Sequence, residues 1–488
     1  MAHVSGQQGT KSMSKTEKSR TWWPGATTIA VIAGLAAPVA TADTLADALV
    51  GAYGHSGLLD QNRALLRAAD EDVAIATSTL RPIIGWSADI TRQFGDTTSA
   101  LAGGVQRDAG ATTAGIGLDL TLQLFDGGVD AARIEASKET VLATRANLLT
   151  IEQNVLLRAA VAFFNVFRQQ EFVSLRQNNL RLLQEEQRAA EDRFEVGEVT
   201  RTDVALAEAA VASARSALAA AERDLVQAQA EYANATGRQP GRLTAIPRLP
   251  QTTTDIPSAQ GVAVRSHPEM EQARRQIAAN ELLITAAVAA KLPTVNLRGT
   301  LGFEDDLSSG SGDSQIGTVG VNVSGPIYRG GELSASERRA VAVRDASRGN
   351  LHTVRHNVQQ DVVIAISNLV AARSSIIASE EEVRASQVAF DGVREEATLG
   401  ARTTLDVLDA EQDLLDARTT RISAQVDQYV ASYQVLESMG LLTAQRLGLP
   451  VQIYDPVAYY NLVKDAPTNR SKQGQQLDKV LRALKPSD

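Results

Sequence analysis

The sequence predicts a mainly α-helical chain with a small amount of membrane-type β structure, built from one helix–β-hairpin–helix unit written twice. Three observations lead there. Residue matches recur at a fixed offset of 203 positions, four short segments alternate between aliphatic and polar side chains, and two 68-residue stretches contain no proline.

The repeat comes first, because a missed duplication mis-assigns the whole fold. "VGEVTRTDVALAE" (196–208) returns as "LGARTTLDVLDAE" (399–411), aligning Gly197 with Gly400, Thr200 with Thr403, Asp203 with Asp406 and Glu208 with Glu411. "LFDGG" (124–128) returns as "IYRGG" (327–331) at the same offset, while "LRP" (80–82) matches "KLP" (291–293) at 211. The change in offset falls between Pro82 and Gly127, where a loop can shorten without disturbing its flanks. The two units run over 43–236 and 261–447. They are joined by a linker at 237–260 whose four prolines and two glycines make poor helix or strand.

Within each unit the expected order is helix, two strands, long helix, turn and return helix. Strands are expected over 83–94, 114–125, 294–303 and 317–328. In "AGIGLDLTLQLF", Ile116, Leu118, Leu120, Leu122 and Leu124 alternate with Gly117, Asp119, Thr121 and Gln123, which puts every aliphatic group on one face. Each segment is about ten residues, the length of a tilted membrane-spanning strand. Four strands cannot close a barrel and lipid does not tolerate open edges, so spanning strands require several copies of the chain.

Long helices are expected over 128–195 and 331–398, each spanning roughly 100 Å at 1.5 Å per residue. The return path of the first unit is 200–236 followed by 268–291. That of the second is 403–447, completed by a helix at about 60–81. Such lengths suit coiled-coil packing.

Composition narrows the function. With 488 residues, 4% aromatics and a net charge of −9, the chain is unsuited to general nucleic-acid binding. Lys11, Lys15, Lys18 and Arg20 precede an apolar run from Ala26 to Val39 and the small residues Ala40-Thr41-Ala42, so residues 1–42 read as an export signal. An exported chain could form disulfides, but this one has no cysteine and relies on packing. His352 and His356 lie at i, i+4 on an expected helix. Thr, Val and Arg stand between them and no glutamate follows the first, so the catalytic zinc signature is missing and no metal site is expected. No dinucleotide loop, P-loop or nucleophile elbow is present, and the chain reads as non-catalytic, with no cofactor.

At "LFDGG" (124–128), "RFEVGEVTRTDV" (193–204), "SHPEM" (266–270) and "GARTTLDVLDAEQDLLDAR" (400–418), in this order, the sequence resembles the TolC family of outer membrane efflux and secretion proteins. The resemblance covers essentially the whole mature chain. It implies a homotrimer with a 12-stranded outer membrane β-barrel, continued by a long periplasmic α-helical barrel. It also implies an exit duct in a Gram-negative outer membrane, joined by a periplasmic adaptor to an inner-membrane transporter of ABC or RND type. The second turn most resembles members serving type I protein secretion, and the family also exports drugs. The tail, 448–488, is expected on the outside of the helical barrel in the periplasm.

The two turns carry the candidate site. Thr200 and Thr403 are N-cap residues with Asp203 and Asp406 at N3, where a carboxylate meets free backbone N–H groups and the positive end of the helix dipole. Gly197 and Gly400 permit positive φ where the long helices stop. Asp409 lies one turn further in, shares a face with Asp406, and replaces Leu206 of the first copy. By resemblance, Asp406 and Asp409 form the periplasmic constriction, and Arg402 closes the tip by pairing with Asp203 of a neighbouring coil. The family's tyrosine is replaced here by Ala397, which removes part of that closing network. The turn residues Gly197, Thr200, Gly400 and Thr403 are the expected adaptor contacts. Gly127, Gly128, Gly330 and Gly331 are expected hinges between strand and helix. The rival readings are a periplasmic adaptor, which carries one helical hairpin inserted in β-rich domains, and a soluble coiled-coil structural protein.

Overall fold

The computed structural model describes residues 43–99, 105–108, 110–241, 243, 248–308 and 313–483. The signal segment expected over 1–42 lies outside them. The chain runs α1 (Leu45–His55), α2 (Gly57–Ser78), β1 (Ile83–Gln93), β2 (Asp96–Ser99), β3 (Val105–Asp108), β4 (Ala111–Phe125), α3 (Val129–Glu195) and α4 (Arg201–Thr236). It continues with α5 (Ile256–Ser266), α6 (Pro268–Ala289), β5 (Thr294–Asp306), β6 (Ser314–Ser324), α7 (Glu332–Thr398), α8 (Thr404–Ser438), α9 (Pro456–Val463) and α10 (Lys472–Ala483).

The main sheet has the order β1-β4-β5-β6 and is antiparallel throughout. Its register pairs Trp86 with Leu118, Leu118 with Leu301, Leu297 with Val321 and Val295 with Val323. Residues directly opposite share a face, so one side of the sheet is a continuous aliphatic surface. The other side carries Asp89, Asp119, Thr121, Arg298, Thr300 and Thr318; the Thr300 and Thr318 hydroxyls are 2.5 Å apart. The aliphatic side is bare in the single chain: Trp86, Ile90 and Val319 are 75%, 77% and 83% exposed. Two open edges, β1 and β6, remain.

Both long helices span 67 residues. α3 packs first against α2 and α6, then against α4 and α8, while α7 packs against α6, α5 and α8. Ion pairs mark the path: Arg275–Glu139 and Arg348–Glu281 near the sheet, then Arg158–Glu231 and Arg168–Asp427 further along. The main cores gather between these two stretches. Phe163 and Phe164 meet edge to face at 5.4 Å, and Phe164 stacks on Tyr429 at 5.1 Å, among Leu49, Ala52, Leu156, Tyr232 and Val426. A second core joins α5, α7 and α8, and a third joins α1, α2, α3 and the tail. Seams farther along the hairpins are thinner.

Several boundaries differ from the sequence expectation. The return helix expected to reach 447 ends at Ser438, because Gly440 turns the chain with φ +73° and its N–H bonds to Glu437 O. This correction makes the units more alike: α4 and α6 have 36 and 22 residues, and α8 and α2 have 35 and 22. The strand expected over 317–328 is β6, displaced towards its start, since Pro326 has no N–H to continue a ladder. The strand expected over 294–303 extends to Asp306, and that over 114–125 begins at Ala111. The hairpin loop after β1 carries an extra two-stranded ribbon, β2–β3. The linker is shorter than expected: Asp255 caps α5 by accepting from Ser258 N at 3.2 Å, and Pro257 sits in the first turn, where its missing N–H costs nothing.

α1 was also not anticipated; a capping box between Thr44 and Asp47 starts it, and it buries Leu45, Ala48, Leu49 and Ala52. The tail returns to α2, where the Tyr459 hydroxyl donates to Glu71 at 2.7 Å and Arg81 donates to Ala466 O at 2.6 Å.

At the strand-to-helix hinges Gly127, Gly128, Gly330 and Gly331 all have positive φ. Only Gly127 also lacks space, since a Cβ there would lie 2.8 Å from Leu292 Cβ and 2.9 Å from Ala289 O. Gly127→Ala should therefore cost left-handed strain of about 1–2 kcal/mol plus a clash of about 1–3 kcal/mol. Gly128→Ala should cost the strain alone. Thermal melts of the helical circular dichroism signal in detergent should show the larger drop for Gly127→Ala; equal drops would contradict this.

Candidate functional site

The two turns that end α3 and α7 are the same object built twice. At the first, Gly197 N–H bonds to Phe194 O at 3.0 Å and Glu198 N–H to Arg193 O at 2.9 Å. At the second, Gly400 N–H bonds to Ala397 O at 3.1 Å and Ala401 N–H to Glu396 O at 2.9 Å. These are Schellman closures, and they place Gly197 at φ +82° and Gly400 at φ +78°.

Three residues later each turn starts its return helix with a capping box. Thr200 N–H and Oγ1 donate to Asp203 Oδ2 at 2.8 and 2.7 Å, and Asp203 N–H returns a bond to Thr200 Oγ1 at 3.3 Å. At the second turn, Thr403 N–H and Oγ1 donate to Asp406 Oδ2 at 2.9 and 2.8 Å, with Asp406 N–H on Thr403 Oγ1 at 3.2 Å. The bonds from the threonines hold both carboxyls below the ordinary aspartate value.

Asp406 and Asp409 lie one turn apart on α8, Asp406 half-buried and Asp409 exposed. The first copy offers half-buried Leu206 where the second has Asp409. Arg402 does not meet Asp203 within the chain. Its Nε donates to Glu396 Oε2 at 2.9 Å, while Asp203 is occupied by its own cap. Glu396 stands one turn before Gly400, so the Schellman closure brings it back beside Arg402. That contact also raises the Arg402 pKa.

Sequence reasoning missed a buried polar cluster just inside the turns. Glu411 on α8 is 3% exposed and accepts from Asn179 Nδ2 on α3 at 2.6 Å; its second oxygen, Oε2, has no partner. Arg394 on α7 reaches Glu186 on α3 at 3.3 Å beside it. Burial pushes the Glu411 carboxyl up to about 7, against the opposing pull of Asn179. The repeat signals the position but not its burial, because Glu208, at the matching place in the first copy, is exposed. Only the packing of α8 against α3 separates the two.

The chain matches the outer membrane efflux protein family over residues 52–238 and 261–441. It is 38% identical over 435 residues to the outer membrane efflux protein BepC of Brucella suis biovar 1 (strain 1330), covering 88% of this chain and 92% of that one. It is 26% identical to the outer membrane protein TolC of Escherichia coli (strain K12), covering 78% of this chain and 80% of that one. Among solved structures, the Campylobacter jejuni CmeC outer membrane channel superposes with a TM-score of 0.71 at 18% identity, covering 87% of this chain and 90% of that one.

Because its folded-state value is raised, Glu411 favours the fold while protonated. That contribution is complete below the unfolded value near 4.5 and is lost as pH rises through about 7. Glu411→Gln keeps the neutral shape. It should melt with the wild type near pH 4 and be more stable above pH 7, by up to about 3 kcal/mol at 1.4 kcal/mol per unit. Parallel melting curves at both pH values would remove the argument.

Proposed function

Since the chain belongs to the outer membrane efflux protein family, we propose that three copies of it form the outer membrane exit duct of a tripartite export system, gated at the turns. Export through the outer membrane is the family's work, and the periplasm is where the helices extend. The observation that carries the trimeric duct is the sheet, with its bare aliphatic face and two free edges. Three such sheets joined edge to edge make a closed 12-stranded cylinder whose aliphatic surface faces lipid. The long hairpins then continue the cylinder into the periplasm. A periplasmic adaptor and an inner-membrane transporter of ABC or RND type supply the cargo, either proteins by type I secretion or drugs.

At the tip, three copies of Asp406 and Asp409 present six carboxylates around the constriction. Asp406 is half committed to its cap, so Asp409 supplies the less constrained charge. Arg402 closes the tip by exchanging Glu396 for Asp203 of a neighbouring coil, and the exposed turns at Gly197, Thr200, Gly400 and Thr403 meet the adaptor. The bare sheet also favours this reading over a periplasmic adaptor or a soluble coiled coil, which have no lipid to cover it.

In planar bilayers Asp406→Ala with Asp409→Ala should lower cation selectivity, and Asp409→Ala alone should produce most of the change. Unaltered reversal potentials would remove the carboxylate ring. Arg402→Ala should raise resting conductance, and a wild-type trace would count against the gate.

A further inference from the structure

α7 carries two exposed histidines, His352 and His356, one helical turn apart and therefore on one face. Their ring centroids are 4.5 Å apart with the planes at 59°. This spacing has a chemical meaning. A first-row metal about 2.0–2.1 Å from a nitrogen of each ring lies about 3 Å from each centroid, so two rings at right angles around it stand about 4.5 Å apart. The ring separation is compatible with a shared ion at this i, i+4 spacing.

Their surroundings leave the rings available. Among the described residues neither ring makes a hydrogen bond. Arg348, one turn before His352, is paired with Glu281 at 2.8 Å, and Arg344 is paired with Asp345 at 2.8 Å. Arg355, next to His356 in sequence and three residues after His352, is an exposed cation beside the pair. The acidic balance of the whole chain favours accumulation of cations.

We propose that His352 and His356 form a two-point site for a borderline divalent transition metal of the nickel, copper or zinc class. Imidazole nitrogens suit these ions, and the hard cations magnesium and calcium prefer oxygen. Among the described residues no group of three or more His, Cys, Asp or Glu is placed to hold a metal, so the remaining coordination positions belong to water. Without a glutamate after His352 the site has no general base for hydrolysis. It is a binding site on the wall of the helical body, and it does not depend on gating at the turns.

The test uses the untagged mature protein in detergent, with Ni2+ as the probe. Titration calorimetry should give one ion per chain, and the protein should be retained on a Ni2+-charged chelating resin. Both histidines are exposed, so His352→Gln and His356→Gln should fold normally. Loss of an outer hydrogen bond to a ligand already costs about 10–100-fold in metal affinity, so loss of either ligand should weaken binding at least about tenfold. His55→Gln, which removes a distant histidine, should bind as the wild type does. Failure of the wild type to bind Ni2+, or unchanged binding in both the His352 and His356 variants, would overturn the assignment.

Discussion

Lipid does not tolerate an unpaired strand edge, and this chain has two. β1 and β6 each present a row of backbone N–H and C=O groups, beside an aliphatic face on which Trp86 and Val319 stand almost bare. In water such a sheet would bind other sheets without limit; in a bilayer each unsatisfied backbone group costs several kcal/mol. Joining the edges of several copies removes both problems together. In the proposed trimer each protomer contributes one arc of wall, and the ring of chains encloses a hollow path through the helices.

The helical body obeys the same geometry. Two 67-residue helices leave the sheet, and each returns as two shorter ones of nearly equal length in the two units. Glycines at the far ends close Schellman turns, and threonine–aspartate boxes restart the chain. The duplication then diverges where the copies have different neighbours. Leu206 becomes Asp409 on an exposed face, and exposed Glu208 becomes buried Glu411 against Asn179. In the proposed duct both copies share the curvature of the wall, and the second alone brings Asp409 to the constriction.

Much of this was legible in the sequence, because the signals were periodic. Strict alternation in "GIGLDLTLQL" fixes a strand face, and the absence of proline over 68 residues permits a helix of that length. The capping boxes were equally plain, since they are local and need only Thr and Asp three residues apart. What could not be read depends on contacts distant in sequence. Alanine-rich "LADALVGAYGH" becomes α1 by packing on Leu156 and Phe163 of α3, and Glu411 is distinguished from Glu208 only by which helix lies over it. The bond from Arg402 to Glu396 was likewise not legible, because the closure of the turn delivers that partner. Composition also misled at the end of α8, where helix-forming residues continue past Gly440 but the backbone does not.

The central claim is that the sheet is one arc of a closed wall. Native mass spectrometry of the purified mature protein, released from detergent micelles, measures it most directly. The account predicts three chains per particle and no stable species once the amphiphile is withdrawn. A single chain that remains in solution without amphiphile would contradict it.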